Sequence, residues 1–380
     1  MKEKAIPSSI LHHFSSIDDP RIERQKRHLL PNIFFITLCA VICGADDWAT
    51  VEEFGKSNEE WFTELLDLQY GIPSHDTFGR VFSLIDTHLF SECFSRWVSD
   101  LAQLSEGEVI AIDGKCLRGS LDRASNKAAI YMVSAWAQKN QLILGQQKVD
   151  DKSNEITAIP KLLLQLDIAG AVVTIDAMGC QTKIAQQIID QKADYVLSLK
   201  GNQGELHDDV VTYFESDLSP EVGHENYDGG HGRIETRTIR ATADIQWLQD
   251  RHPKWAGLKS IIAVSAKREL INKAEEETRY FISSLDATDP QKLGNIVRAH
   301  WSIENNLHWV LDQAFDEDSH RARTGYSAAN MAIMRHITLN LLKAEKSVKR
   351  GIKIKRLKAG WNKSYLLKIL FGDKTQVLDC

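Results

Sequence analysis

Two short apolar runs, each closing on an aspartate, constrain this chain more than any other feature. The first is Glu108 to Gly114 (EVIAIDG) and the second Ala171 to Asp176 (AVVTID), and both have the continuous, β-branched character of buried strands. Between them lie two further strand-like runs, Ala129 to Ala137 and Leu142 to Val149, joined as a hairpin by the polar turn Gln138-Lys139-Asn140-Gln141. Helical spacing follows from Ile156 to Leu166, and after the second aspartate come a helix, Thr182 to Gln191, and a strand, Asp194 to Leu199. The predicted order is β-β-β-α-β-α-β.

An ordinary doubly wound sheet would open β-α-β. Three antiparallel strands followed by alternating helices and parallel strands is instead the order of an α/β ribonuclease H-like core, a mixed sheet with helices on both faces. Residues 101–206 and 289–340 are assigned to that core. Residues 1–100 read as an N-terminal helical domain with a candidate DNA-binding role. Within them Gly71-Ile72-Pro73-Ser74 breaks a helical run, and Ser74 or Asp76 is placed to cap the next helix. That helix-turn-helix serves either to read DNA or simply to pack. Residues 207–288 look like a β-rich insertion, with the turn Gly229-Gly230-His231-Gly232 and strands at Arg233 to Arg240, Ser260 to Ala266 and Thr278 to Ser284. Asp289-Pro290 then supplies an N-cap and first-turn proline for a helix running to about Ala314.

The formal net charge of -6 does not announce a nucleic-acid partner, but its distribution is uneven. From Leu341 to Gly372 eight Lys and two Arg stand against one Glu, so 341–380 forms a basic C-terminal segment. The six cysteines, among them Cys380, show no C-x-x-C pair and no grouping with histidine, which argues against a zinc site or a disulfide framework. The first 16 residues lack the pattern of a secretory signal, and the apolar run Ile33 to Ala45 falls short of the roughly 20 residues a membrane span needs. A cytoplasmic, nucleoid-associated protein with a buried helix at that run is expected.

Asp113 and Asp176 end neighbouring apolar runs, and strand ends of a mixed sheet gather where a ligand can reach them. An acid at a strand end also forms turns. Glu304 is the third candidate. Stepping 100° per residue along the helix places Leu293, Val297, His300, Trp301, Leu307, His308 and Leu311 on its side, at the centre of the apolar stripe. A carboxylate there loses hydration at a cost of several kcal/mol unless a cation compensates it. The plain alternative is a salt bridge to Arg298 or Arg321. Three convergent acids suit phosphoryl transfer on DNA with two divalent ions, Mg²⁺ or Mn²⁺, through hard oxygen ligands. Glu155, opening the helix after the hairpin, is a further candidate metal ligand or merely an acid favoured by the helix dipole.

These residues sit in motifs that resemble the DDE transposases of bacterial insertion sequences, in the group that includes the H-repeat-associated proteins. The likeness runs essentially end to end through Ile110 to Ser120 (IAIDGKCLRGS), Val173 to Gln181 (VTIDAMGCQ), Leu197 to Gln203 (LSLKGNQ), His300 to Asp318 (HWSIENNLHWVLDQAFDED) and Asp19 to Phe35. The resemblance implies Asp113, Asp176 and Glu304 as the catalytic acids, with a β-strand insertion between the second and third. It implies binding of inverted repeats, hydrolysis at the element ends, and joining of 3′-hydroxyls to target DNA by at least a homodimer. Larger relatives carry Y-x2-R-x3-E-x6-K around the glutamate. Val297, His300 and Leu311 stand at those Tyr, Arg and Lys places, so the roles of the missing residues do not transfer. A nuclease-only or catalytically inactive DNA-binding descendant is the alternative.

Candidate DNA contacts are Lys200, Asn202 and Gln203 just past the DYVLSL strand, His300, Arg321 and Arg323 around the glutamate helix, and Lys349, Arg350, Lys353, Lys355 and Arg356 in the basic segment. Arg21, Arg24, Lys26 and Arg27 form a smaller cluster. Trp247 and Trp255 are read either as base-stacking groups or as core.

Overall fold

The computed structural model describes residues 9–102, 104–122, 128–150, 153–230, 233–270 and 273–372; Cys380, the first eight residues, and His231-Gly232 of the expected turn lie outside them. The strands are β1 (Val109–Leu117), β2 (Ile130–Ala137), β3 (Leu142–Lys148), β4 (Val172–Ile175), β5 (Asp194–Leu199), β6 (His224–Gly230), β7 (Arg233–Thr242), β8 (Ser260–Leu270) and β9 (Lys273–Ser283). They form one sheet in the order β3-β2-β1-β4-β5-β9-β8-β7-β6. Its first five members are the mixed sheet expected of a ribonuclease H-like core, with β2 and β3 antiparallel and β1, β4 and β5 parallel. The inserted strands continue that sheet, because β9 pairs antiparallel with β5 from Val196↔Ser283 to Leu199↔Tyr280. Strand β6 escaped the sequence reading: HENYDGG lacks an apolar alternation, as suits an edge strand.

One boundary differs in a way that matters. Gly114 does not end β1, which runs on to Leu117 against β2. Strand β4 stops at Ile175, opposite Ile112, so Asp113 is the first residue of β1 with no β4 partner. Asp176 follows directly, and the two aspartates stand side by side where the parallel pairing gives out.

Among the described residues the α-helices before the sheet are α1 (Ser9–Phe14), α2 (Leu30–Ile42), α3 (Trp48–Ser57), α4 (Glu59–Leu65), α5 (His75–Leu84) and α6 (Thr87–Leu101). Helix α2 is buried from Asn32 to Ile42, and no helix among the described residues is long and apolar enough to cross a membrane. Ser74 caps α5 by accepting from the Thr77 amide, and α5 turns Phe78, Val81 and Phe82 into the core. Helices α7 (Glu155–Leu164), α8 (Thr182–Asp190), α9 (Glu205–Glu215) and α10 (Gln246–Arg251) alternate with the strands. The chain then forms α11 (Pro290–His300), α12 (Trp309–Phe315), α13 (Ser327–Ala344), α14 (Ile352–Trp361) and α15 (Lys363–Phe371).

Helix α13 ties the layers together through two fully buried asparagines. Asn330 donates to the Phe82 and Ile85 carbonyls and accepts from Thr87. Asn340 exchanges two hydrogen bonds with the Ile143 backbone on the sheet's outer strand.

Candidate active site

Glu304 comes from a helix that changes pitch as it passes the aspartates. Asp289 caps α11 by accepting from the Lys292 amide, and the helix continues through a π turn, Glu304–His308, into α12. In that turn the Trp309 amide bonds to the Glu304 carbonyl, five residues back, so one extra residue is accommodated and the helical phase shifts. Upstream of the turn, Leu293, Ile296 and Val297 pack on the sheet with Val109, Val172 and Ile262. Downstream, Leu307, Leu311 and Phe315 enter the main core. Glu304 stands between the two clusters, its side chain 53% exposed over a cleft of about 590 Å³. The expectation that it lies at the centre of a buried stripe is therefore corrected: a uniform 100° step misses the wide turn.

The cleft brings together Asp113, Asp176 and Glu304. Ligand atoms of Asp113, Glu304 and His308 lie within 4.8 Å of one another. His308 is buried, and its Nδ1 is 3.5 Å from both Asp113 Oδ2 and Glu304 Oε2. Asp176 is also the turn-former that strand-end acids often are, its Oδ1 accepting from the Met178 and Gly179 amides. Glu155 opens α7 and lies against the backbone of β1: a Cβ on Gly114 would fall 2.1 Å from Glu155 Oε1. The glycine after Asp113 is thus a place where a carboxylate needs to come close.

Burial pushes the Asp113 carboxyl up to about 7, helped by the neighbouring charges of Glu304 and Asp176 and opposed by His308 and the Gly114 amide. Burial also raises Glu155, with Asp176 adding to the effect. Glu304 moves the other way, because the neighbouring His308 imidazole, 3.5 Å away, outweighs its partial burial. None of these four acids forms an ion pair with a lysine or arginine among the described residues. Arg298 goes to Asp228 at 2.7 Å rather than to Glu304. The nearest lysine on β1, Lys115, is held by Asp312 at 2.5 Å and Glu317 at 2.9 Å, and also reaches the His308 carbonyl at 3.3 Å.

Sequence reasoning missed His308, although its place four residues after Glu304 puts both on one helix face. It also missed a basic part of the lining, where Arg237 on β7, Arg268 on β8 and Arg279 on β9 line the cleft with Lys200. Arg237 and Arg268 share Glu235, and Arg279 pairs with Glu277 while covering the Trp301 ring at 5.2 Å. The alternation in RIETRTIR was the available signal, since period two puts Glu235 and Arg237 on one face.

Other predicted contacts divide sharply. Lys200 and His300 line the cleft, with His300 Nδ1 3.1 Å from the Thr174 hydroxyl and its basicity lowered by burial. Asn202 and Gln203 instead donate to the Ala177 and Cys180 carbonyls, bracing the loop that carries Asp176. Arg321, Arg323, Lys349, Arg350 and Lys353 are exposed. Lys355 and Arg356 are corrected: both are buried, Lys355 donating to the Leu342 and Glu345 carbonyls, Arg356 to the Val41 and Ala314 carbonyls and to Asp46. Arg21 is buried too, paired with Asp19, whereas Arg24 and Arg27 are exposed and Lys26 pairs with Glu23. Trp247 stacks on Tyr213 and Trp255 is buried, so both serve packing rather than a base.

Residues 104–341 match the family described as Transposase DDE domain, and residues 11–98 match the one described as DDE_Tnp_1-associated. The chain belongs to the DDE transposase family. It is 43% identical over 368 residues to "Putative transposase YncI" of Escherichia coli O157:H7, covering 95% of this chain and 94% of the relative. It is 39% identical over 371 residues to "H repeat-associated putative transposase YhhI" of Escherichia coli strain K12, covering 96% and 98%. A shorter relative, "Inactive transposase YbfQ" of the same strain, is 38% identical over 74 residues, 20% of this chain and 88% of the relative. Membership in the DDE family implies DNA as partner and divalent metal as cofactor, and the acids around Asp113 are a donor set of that kind.

Proposed function

We propose that this chain is a DNA transposase that hydrolyses DNA at the ends of its element and joins the freed 3′-hydroxyls to target DNA, with Asp113, Asp176 and Glu304 as its catalytic acids. The observation that carries this reading is the meeting of Asp113 and Glu304, 191 residues apart in sequence, beside Asp176 in one cleft.

The residues fit divalent cations. Hard carboxylate oxygens converge without a fixed lysine or arginine, and the raised Asp113 carboxyl marks a site where negative charge is undercompensated. Asp113 and Glu304 would hold one ion, and Asp176 and Glu155, with Asp113 shared, a second. Two such ions, Mg²⁺ or Mn²⁺, supply activation of the attacking oxygen and stabilisation of the leaving one. Lys200 and the arginines of β7, β8 and β9 share the cleft with the acids and hold the phosphate backbone of duplex DNA. His300, its basicity lowered by burial and fixed by Thr174, shapes the floor without adding charge. The exposed Lys349, Arg350 and Lys353, with Arg321 and Arg323, extend DNA contact beyond the cleft, and pairing of two element ends calls for a homodimer acting at the nucleoid.

The test is cleavage of labelled element-end DNA with Mg²⁺ or Mn²⁺ by the wild type and by Asp113→Ala, Asp176→Ala and Glu304→Ala. Each variant is expected to keep DNA binding and to lose cleavage by at least ~100-fold, the scale for removing one preorganised electrostatic group. Wild-type cleavage by any variant overturns its assignment. Wild-type cutting without joined product selects the nuclease-only alternative, and no cutting at all selects an inactive descendant.

A further inference from the structure

We propose that His308 is a nitrogen ligand of the cation bound between Asp113 and Glu304, and that it biases this site toward Mn²⁺ and later first-row ions over Mg²⁺. The inference rests on the metal-dependent reading of the acids and goes beyond it by naming a donor outside the three acids.

The geometry is that of a donor aimed at a shared centre. His308 Nδ1 lies 3.5 Å from Asp113 Oδ2 and 3.5 Å from Glu304 Oε2, equidistant and long for a good hydrogen bond to either. Donors of one ion with bonds of roughly 2.1 Å stand between about 3.0 and 4.2 Å apart. The trio already falls within 4.8 Å, so closing onto an ion needs a shift of only a few tenths of an ångström. The exposed Glu304 side chain is free to supply that shift.

His308 is poised for the role by its surroundings. Its side chain is 7% exposed, so the ring cannot swing into solvent as a surface histidine would. It occupies the last position of the π turn that Glu304 opens, so that turn sets the spacing of the two side chains. Lys115 reaches the His308 carbonyl from β1, the strand that carries Asp113, and so fixes the turn against the first acid. A mixed imidazole and carboxylate set favours borderline ions more than an all-oxygen set does, because imidazole bonds later first-row metals more strongly while Mg²⁺ prefers oxygen and water.

The test is Mn²⁺ titration of the EDTA-stripped full chain, followed by pulsed electron paramagnetic resonance of the bound ion. The expected spectrum carries ¹⁴N modulations of a coordinated imidazole. These should convert to ¹⁵N modulations after ¹⁵N-histidine labelling, survive His300→Asn and vanish in His308→Asn, where Mn²⁺ binds ~10-fold or more weakly. His308→Asp should retain an ion while shifting the Mg²⁺ to Mn²⁺ affinity ratio toward Mg²⁺. A wild-type spectrum without nitrogen coupling overturns the role even if a variant fails to fold, and the two histidine variants separate His308 from His300. Bound Mn²⁺ that Asp113→Asn weakens, but that shows no nitrogen coupling, overturns the ligand role of His308 and leaves the metal reading intact. Absence of Mn²⁺ binding, or binding indifferent to Asp113→Asn, overturns both.

Discussion

Gly114 has no room for a side chain because Glu155 occupies the space a Cβ would take, 2.1 Å from Oε1. The obstacle is the far end of a flexible carboxylate rather than backbone, so Gly114→Ala should expel Glu155 from the site at small cost in stability, under about 1 kcal/mol. Its effect on metal affinity should match that of Glu155→Ala, and the double variant should be no worse than either single one. Mn²⁺ titration of the three proteins checks this, and additive losses would show that Glu155 is not what the glycine accommodates. Gly119 makes the contrast: its Cβ would meet the His320 carbonyl oxygen at 2.1 Å, and backbone cannot swing aside. The sequence showed Asp113, Gly114 and Glu155 as separate residues, and only the folded chain, with the Glu155 side chain reaching from the start of α7 to Gly114, joins them.

At the level of elements, the core was legible because its signals are local. Runs such as AVVTID and DYVLSL announce buried strands by composition, and Asp289-Pro290 announces a helix start by capping chemistry. The site was half legible: Asp113 and Asp176 follow from strand ends, whereas the position of Glu304 depends on a π turn that no regular periodicity encodes. Two residues of the basic C-terminal segment, Lys355 and Arg356, were misread for a related reason. Charge counts do not say which cations face inward, and Arg356 turns out to bond Val41, Ala314 and Asp46, joining α14 to the end of α2 and to α12. Arg356→Met leaves those groups unsatisfied and should destabilise the fold by ~3 kcal/mol, as breaking a buried charge pair does. Replacing the exposed Lys349, Arg350 and Lys353 by Ala should stay within about 0.5 kcal/mol while lowering DNA affinity and the steepness of its salt dependence. Denaturant unfolding with DNA binding at several salt concentrations separates the two sets; a stable Arg356→Met protein that loses DNA would reverse the division.

Across the whole molecule, the acids of the cleft are backed by a layer of charge that joins the N-terminal helices, β1 and the C-terminal helices. Lys115 of β1 meets Glu317, Arg335 of α13 lies 3.8 Å from Glu317 and donates to the Asp46 carbonyl, and Asp46 pairs with Arg356 of α14. His336 is buried and His320 half-buried in this layer, and burial lowers both to about 4, with the charge of Arg335 acting in the same direction on each. An unfolded histidine titrates near 6.5, so between that pH and about 4 the unfolded chain binds protons that the folded chain refuses. The stability contributed by the neutral rings is therefore complete above pH 6.5 and drains away as the pH falls toward 4, becoming flat below it. Glu317, whose carboxyl is held down by Lys115 and Arg335 despite burial, adds a loss of the same sign at the acid end. The melting temperature of the metal-free protein, followed by far-ultraviolet circular dichroism, should accordingly fall from pH 6.5 to pH 4, and His336→Gln should show a shallower decline over that window. Parallel wild-type and variant curves would mean that the buried imidazole is not what couples proton uptake to the loss of this charge layer.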